Sequence, residues 1–107
     1  HPSEVGMVLR GKQNDPLALS LLLNHANPAV RTQAATALGE LGTGARSVVP
    51  HLIQTLSRDQ SAWVRRIAAR SLGKIGGPQA RDGLQIGLRD KDKWVVHTTT
   101  QALKNIK

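Results

Sequence analysis

The chain holds 107 residues, 39% of them hydrophobic, with 15 Lys/Arg against 7 Asp/Glu for a formal net charge of +8. That length allows one domain, since single cores usually span about 100 to 200 residues, and it excludes a two-domain enzyme. With no Cys, no Phe and no Tyr, the chain has no disulfide framework, zinc–thiolate or iron–sulfur centre or cysteine nucleophile, and its core must be Leu, Val, Ile and Ala rather than an aromatic ligand pocket.

The opening HPSEVGMVLRGKQN lacks a cationic flank before an apolar run, so it does not read as a signal peptide. Its His start in place of Met points to a processed or excised chain. Val5, Val8 and Leu9 stand at helical spacing there, which predicts a partial or irregular N-terminal helix over residues 1–14. Nowhere do about 18 apolar residues run together, so no membrane span is expected. The absence of Cys fits a reducing compartment and favours the cytoplasm.

Beyond that segment the chain repeats. PAVRTQAATALGELG at 28–42, AWVRRIAARSLGKIG at 62–76 and KWVVHTTTQALKNIK at 93–107 superimpose without gaps. Val30, Val64 and Val95 align; Leu38, Leu72 and Leu103 follow eight positions on, then Leu41, Ile75 and Ile106. Apolar residues at offsets 0, 4, 5, 8 and 11, as in Val64, Ala68, Ala69, Leu72 and Ile75, form one stripe of a helix and fit no strand. The copies lie 34 and then 31 residues apart, room for a second helix and two turns in each unit. PLALSLLLNH (16–25), ARSVVPHLIQTLSRD (45–59) and PQARDGLQIGLRD (78–90) supply those helices. Asp15, Asn27 and Gly77 each precede a Pro that suits a first helical turn. Gly42 and Gly76 sit where a left-handed residue would close a helix, and Pro50 is tolerated if its helix starts near Ser47.

One such pair cannot bury its apolar face, but three stacked pairs share a core. The expected fold is therefore all-α, an α-solenoid of about three antiparallel helix pairs: residues 15–42, 43–76 and 77–107. Ala34, Ala35, Ala68 and Ala69 would let neighbouring helices approach closely. Thr99 and Thr100 replace them in the third copy, as expected of a terminal unit or one that meets another segment. Three units are near the minimum for independent stability, so dimerisation or a neighbouring domain is expected to cap the ends.

Asp59 to Gly76, written D-x-x-x-x-V-R-x-x-A-A-x-x-L-G-x-[IL]-G, resembles the short HEAT repeat of the phycobilisome-lyase type, and Asn27 to Gly42 is similar with a shorter lead. The similarity spans residues 16–107. A tetratricopeptide has a matching period, but the Trp, Tyr and Phe positions of that family are missing. The resemblance implies a scaffold that binds proteins. A few members of the family handle bilin chromophores, modify nucleic acid or hydroxylate a lysine-derived side chain, so a lyase-like role on a bilin or similar adduct stands as an alternative.

Arg31 and Arg65 follow the aligned Val in their copies, and the resemblance implies a structural ladder, with Asp59 or Asp90 as mates; Val96 interrupts it in the third copy. Arg66, Arg70 and Lys74 are spaced i, i+4, i+8 and form one exposed cationic row, aligned with Thr32, Thr36 and Glu40 in the first copy and with His97, Gln101 and Asn105 in the third. Packing requires no charge there, so this row is the leading binding candidate, set against a merely solvated face. The resemblance implies that its helix lines a concave surface. Lys91, Lys93, Lys104 and Lys107 are candidates to extend it. Trp63 and Trp94 align just before their Val; such a Trp can anchor a partner or stack on a base, but the packing role is preferred, because a tryptophan normally buries most of its surface.

Residues 1–57 carry four Lys/Arg against three acids, whereas residues 58–107 carry eleven against four. The asymmetry predicts an acidic partner for the second half: nucleic acid, anionic membrane or acidic protein. His1, His25, His51 and His97 lack metal-ligand spacing, and His25 is followed by Ala26 where the family's iron hydroxylases need a His-Glu pair. No G-x-S-x-G, phosphate loop or close carboxylate pair occurs. The expectation is a noncatalytic module without cofactor or metal, which binds an acidic protein through Arg66, Arg70, Lys74, His97, Gln101 and Lys104 with Trp63 and Trp94 beside them. Sequence-independent nucleic-acid binding through the same face is the runner-up.

Overall fold

Each stretch of helical periodicity becomes a helix because its apolar stripe finds another stripe to cover. The computed structural model describes residues 4–106, so the readings of His1 and Lys107 fall outside it. Among the described residues every regular element is helical: α1 (Glu4–Leu9), α2 (Pro16–Leu22), α3 (Pro28–Leu41), α4 (Val49–Arg58), α5 (Ala62–Ile75), α6 (Pro78–Leu84) and α7 (Lys93–Asn105). Gly42–Val48 and Gln85–Arg89 are 3₁₀ segments leading into α4 and following α6. None of these helices is long and apolar enough to cross a membrane.

The three repeated helices start alike. The residue three before the aligned Val accepts a hydrogen bond from the first helical turn, which satisfies an otherwise orphaned donor. Asn27 Oδ1 takes the Ala29 N–H at 2.9 Å, Ser61 Oγ the Val64 N–H at 3.3 Å, and Asp92 Oδ1 the Trp94 and Val95 N–H groups at 2.8 and 3.2 Å. Asp15 caps α2 through Ala18 N–H. At the other end Gly42 and Gly76 have φ of 55° and 70°, but ψ of −127° and −169° takes them out of the left-handed helical well expected for them. They occupy an extended positive-φ region that a side chain would forbid.

The first helix of each unit is shorter than its sequence suggests. In the second unit the chain runs as a 3₁₀ segment through Val48, and α4 begins only at Val49. Pro50 then sits at the second helical position, where its missing N–H breaks no ladder. In the third unit the helix tightens to 3₁₀ from Gln85, between the weak helix formers Gly83 and Gly87, which seat Ile53 of α4 and Thr99 of α7.

Helix α5 is the centre: α3 packs on one side, α7 on the other, and α4 and α6 lie behind it. Leu19, Leu38, Leu52, Leu56, Leu72 and Leu84 are almost wholly buried in one continuous core. Val30, Val64 and Val95 are fully buried, as are Ala34, Ala35, Ala68 and Ala69. Leu103, by contrast, is only partly buried, because among the described residues α7 has a helical neighbour on one side only. The contact between successive units recurs. A Cβ on Gly39 would fall 2.8 Å from Ser71 Cβ, and one on Gly73 would fall 2.7 Å from Ala102 Cβ. Ser71 Oγ donates across the first of these seams to Ala35 O at 2.6 Å. Small residues at these crossings draw the backbones together, which is how a core without Phe or Tyr reaches a packed density.

At the N-terminal edge α1 rests on α3, with Val8 and Leu9 half-buried.

Candidate functional site

Two sets of basic residues leave α5 in different directions, and their surroundings differ in kind. Arg65 points inward. Its Nε and Nη2 donate to Asp90 Oδ2 and Oδ1 at 2.9 and 3.2 Å, and Nη1 donates to Asp59 O at 2.8 Å. Arg31 does the same one unit earlier, through Nε and Nη2 to Asp59 Oδ2 and Oδ1 at 2.8 and 3.1 Å and through Nη1 to the His25 and Ala26 carbonyls. Each acid stands five residues before the aligned Val of the next unit and also accepts a backbone N–H two residues on, from Ser61 or Asp92. In the first unit that place holds His25, whose Nδ1 accepts from Asn27 N–H. Burial works to raise the Asp90 pKa, but the hydrogen bonds from Arg65 and Asp92 and the charges of Arg65 and Lys91 outweigh it and hold the carboxyl below its ordinary value. Forked, largely buried pairs of this kind tie one repeat to the next.

Arg66, Arg70 and Lys74 point outward along a groove of about 500 Å³ between α5 and α7, with His97, Gln101 and Asn105 on the facing helix. Among the described residues none that lines it is acidic. Arg66 Nε donates to Thr98 Oγ1 at 2.9 Å, and its guanidinium carbon lies 5.3 Å from the Trp63 ring centroid and 5.6 Å from that of Trp94. Such contacts contribute about 0.5–1 kcal/mol each at exposed sites and favour this placement of the guanidinium. His97 meets the Trp94 ring edge-on at 6.2 Å, and Lys93 Nζ lies 5.7 Å from the same ring.

The two tryptophans depart from the packing role preferred for them: Trp63 is 54% exposed and Trp94 52%. Trp63 stands three residues before Arg66, so the helical period that turns Arg66 outward turns Trp63 outward too. Trp94 and His97 share that relation on α7. The lysines expected to extend the row divide. Lys93 reaches its edge, whereas Lys104 lies on α7 away from the groove, at the position where Gly39 and Gly73 seat a neighbouring helix in the other two copies. Lys91 lines a different groove.

That other groove, about 1080 Å³, runs between the ends of α4 and of the second 3₁₀ segment, with Arg58, Arg89, Lys91, Ile86 and Leu88 on its walls. Sequence reasoning missed it, though a signal was present: Arg58 and Arg89 each stand six residues before the aligned Val. Thr98 was missed as well, and no local pattern marks a partner 32 residues away from Arg66. His25 lies between α2 and α3, His51 on α4 and His97 on α7, and among the described residues no group of three or more His, Cys, Asp or Glu gathers to hold a metal ion.

No curated protein matches the chain. A family model described as HEAT repeats matches residues 16–104, the span that contains nearly all of the three repeated helices and both arginine–aspartate links. The chain therefore belongs to the HEAT repeat family.

Proposed function

We propose that the protein is a noncatalytic scaffold, an α-solenoid of three helix pairs of the short phycobilisome-lyase-like class, whose α5–α7 face receives an acidic segment of a protein partner. HEAT repeats generally mediate protein–protein interaction, and the side-by-side order of α3, α5 and α7, each with its own shorter helix behind, supports the stacked arrangement. The observation that carries the binding face is the groove in which Arg66, Arg70, Lys74 and His97 converge without a lining carboxylate. Charges so placed steer and orient an oppositely charged partner, and exposed Trp beside Arg is the composition of interface hot spots.

The double variant Arg70→Glu/Lys74→Glu tests this. Both side chains are exposed and no ion pair involves either among the described residues, so thermal unfolding should shift by no more than about 0.5 kcal/mol equivalent, while calorimetry should lose binding to a glutamate-rich peptide. Retained binding would remove the groove as the site. The half-exposed Trp63 and Trp94 favour a second reading, single-stranded nucleic acid stacked on the indoles. It requires log K for an oligo-dT probe to fall by about 0.7 per phosphate neutralised as log salt rises, and a flat titration would dismiss it.

A further inference from the structure

Resting on that reading, we infer that Arg66 is the anchor of the groove: a guanidinium clamped by Trp63, Trp94 and Thr98 that takes one carboxylate edge-on, with Arg70 and Lys74 taking further carboxylates of the same extended segment.

Arg66 differs from its neighbours in being held by side-chain contacts before any partner arrives. Its Nε is committed to Thr98 Oγ1, and the centroids of two indole rings lie within 5.6 Å of its guanidinium carbon. No hydrogen bond engages its Nη1 or Nη2 among the described residues, so the fork that matches a carboxylate remains free. Little side-chain entropy is left to lose there on binding, whereas the exposed Arg70 and Lys74 must be ordered by the partner. A carboxylate engaged by both Nη groups lies in the guanidinium plane and forms two parallel, charge-assisted hydrogen bonds there.

The spacing along α5 sets the register of the bound segment. Arg66, Arg70 and Lys74 are four residues apart, and at 1.5 Å rise each step is about 6 Å. In an extended chain, side chains on one face recur every second residue, about 6.6 Å. A segment with acids at alternate positions therefore keeps register over three contacts, while three consecutive acids place the middle one on the wrong face.

Because Trp63 and Trp94 are the only tryptophans of the chain, intrinsic fluorescence reports on the clamp directly. Two tryptophan-free peptides, each with three Glu in a Ser background, one with Glu at alternate positions and one with the three Glu contiguous, are titrated into the full chain beside oligo-dT. The alternating peptide should bind about tenfold tighter than the block and change the tryptophan emission. Arg66→Lys keeps the charge but loses the fork and the stacking; it should weaken the alternating peptide about tenfold while circular dichroism shows an unchanged fold. Trp63→Phe, which keeps a ring beside Arg66, should weaken it less. Equal affinities for the two peptides, an Arg66→Lys protein that binds normally, or oligo-dT binding tighter than either peptide would each overturn the anchor. If the peptides tie but Arg70→Glu/Lys74→Glu still abolishes binding, the anchor fails and the acidic-partner reading survives. If neither peptide binds, both fail.

Discussion

Replacing Asp90 by Ala probes what joins the second repeat to the third. The carboxylate takes two hydrogen bonds from Arg65, which is 6% exposed, and one from the Asp92 backbone. Without it, Nε and Nη2 of a buried guanidinium have no acceptor, and only the bond from Nη1 to Asp59 O remains. Breaking a buried pair by removing one partner costs about 3–5 kcal/mol. The Asp90 side chain is 10% exposed and Arg65 keeps one bond, so the low end, about 3 kcal/mol, applies here. For a domain of this size that lowers Tm by roughly 10–20 °C, a large part of a total stability of about 5–15 kcal/mol. Thermal unfolding followed by far-ultraviolet circular dichroism measures it. Arg65→Met/Asp90→Ala should recover much of the loss, because a buried pair replaced by apolar volume is often close to neutral. A drop under about 4 °C for Asp90→Ala, or strictly additive single and double variants, would refute the reasoning that this pair joins the repeats.

The same aspartate governs acid stability. Its folded pKa is depressed, so the folded state binds fewer protons than the unfolded one; the contribution is full above the unfolded value of about 3.9 and is lost as pH falls through the folded pKa. Unfolding midpoints measured from neutral into strongly acidic solution should decline less steeply in Asp90→Asn than in the parent, and parallel acid limbs would contradict this. Gly73→Ala places a methyl 2.7 Å from Ala102 Cβ and 3.1 Å from its Cα. Overpacking of about 1–3 kcal/mol then outweighs a helix-propensity gain of about 1 kcal/mol, so the melting temperature should fall, and adding Ala102→Gly should relieve it. Thr99 is fully buried and its Oγ1 has no hydrogen-bond partner among the described residues. Thr99→Val removes the unsatisfied hydroxyl at nearly constant shape and should leave Tm unchanged or raise it by up to about 1 kcal/mol equivalent; a clear fall in the same melt would count against the assignment.

Much of this molecule is written in periods that a reader of the sequence can count. Apolar residues at offsets 0, 4, 5, 8 and 11 suffice for three equivalent helices, and the caps at Asn27, Ser61 and Asp92 repeat because each helix needs its first donors satisfied. The acids that meet Arg31 and Arg65 narrow to Asp59 and Asp90, since both arginines and both acids recur at fixed offsets from the aligned Val. The outward turn of Trp63 is also within reach, three residues before Arg66 on the same face, although the general tendency of tryptophan to be buried points the other way.

What local pattern could not supply depends on how helices distant in sequence are brought side by side. Where α4 starts and α6 gives way to 3₁₀ was decided by Pro50 and by glycines seated against Ile53 and Thr99. The clamp on Arg66 needs α5 and α7 in one register, set by Gly73 against Ala102, before Thr98 and Trp94 come within reach. Helical periodicity is a property of near neighbours along the chain and can be read from residue order alone. The side-chain setting of a groove depends on translation and rotation between elements, which only the packed core fixes.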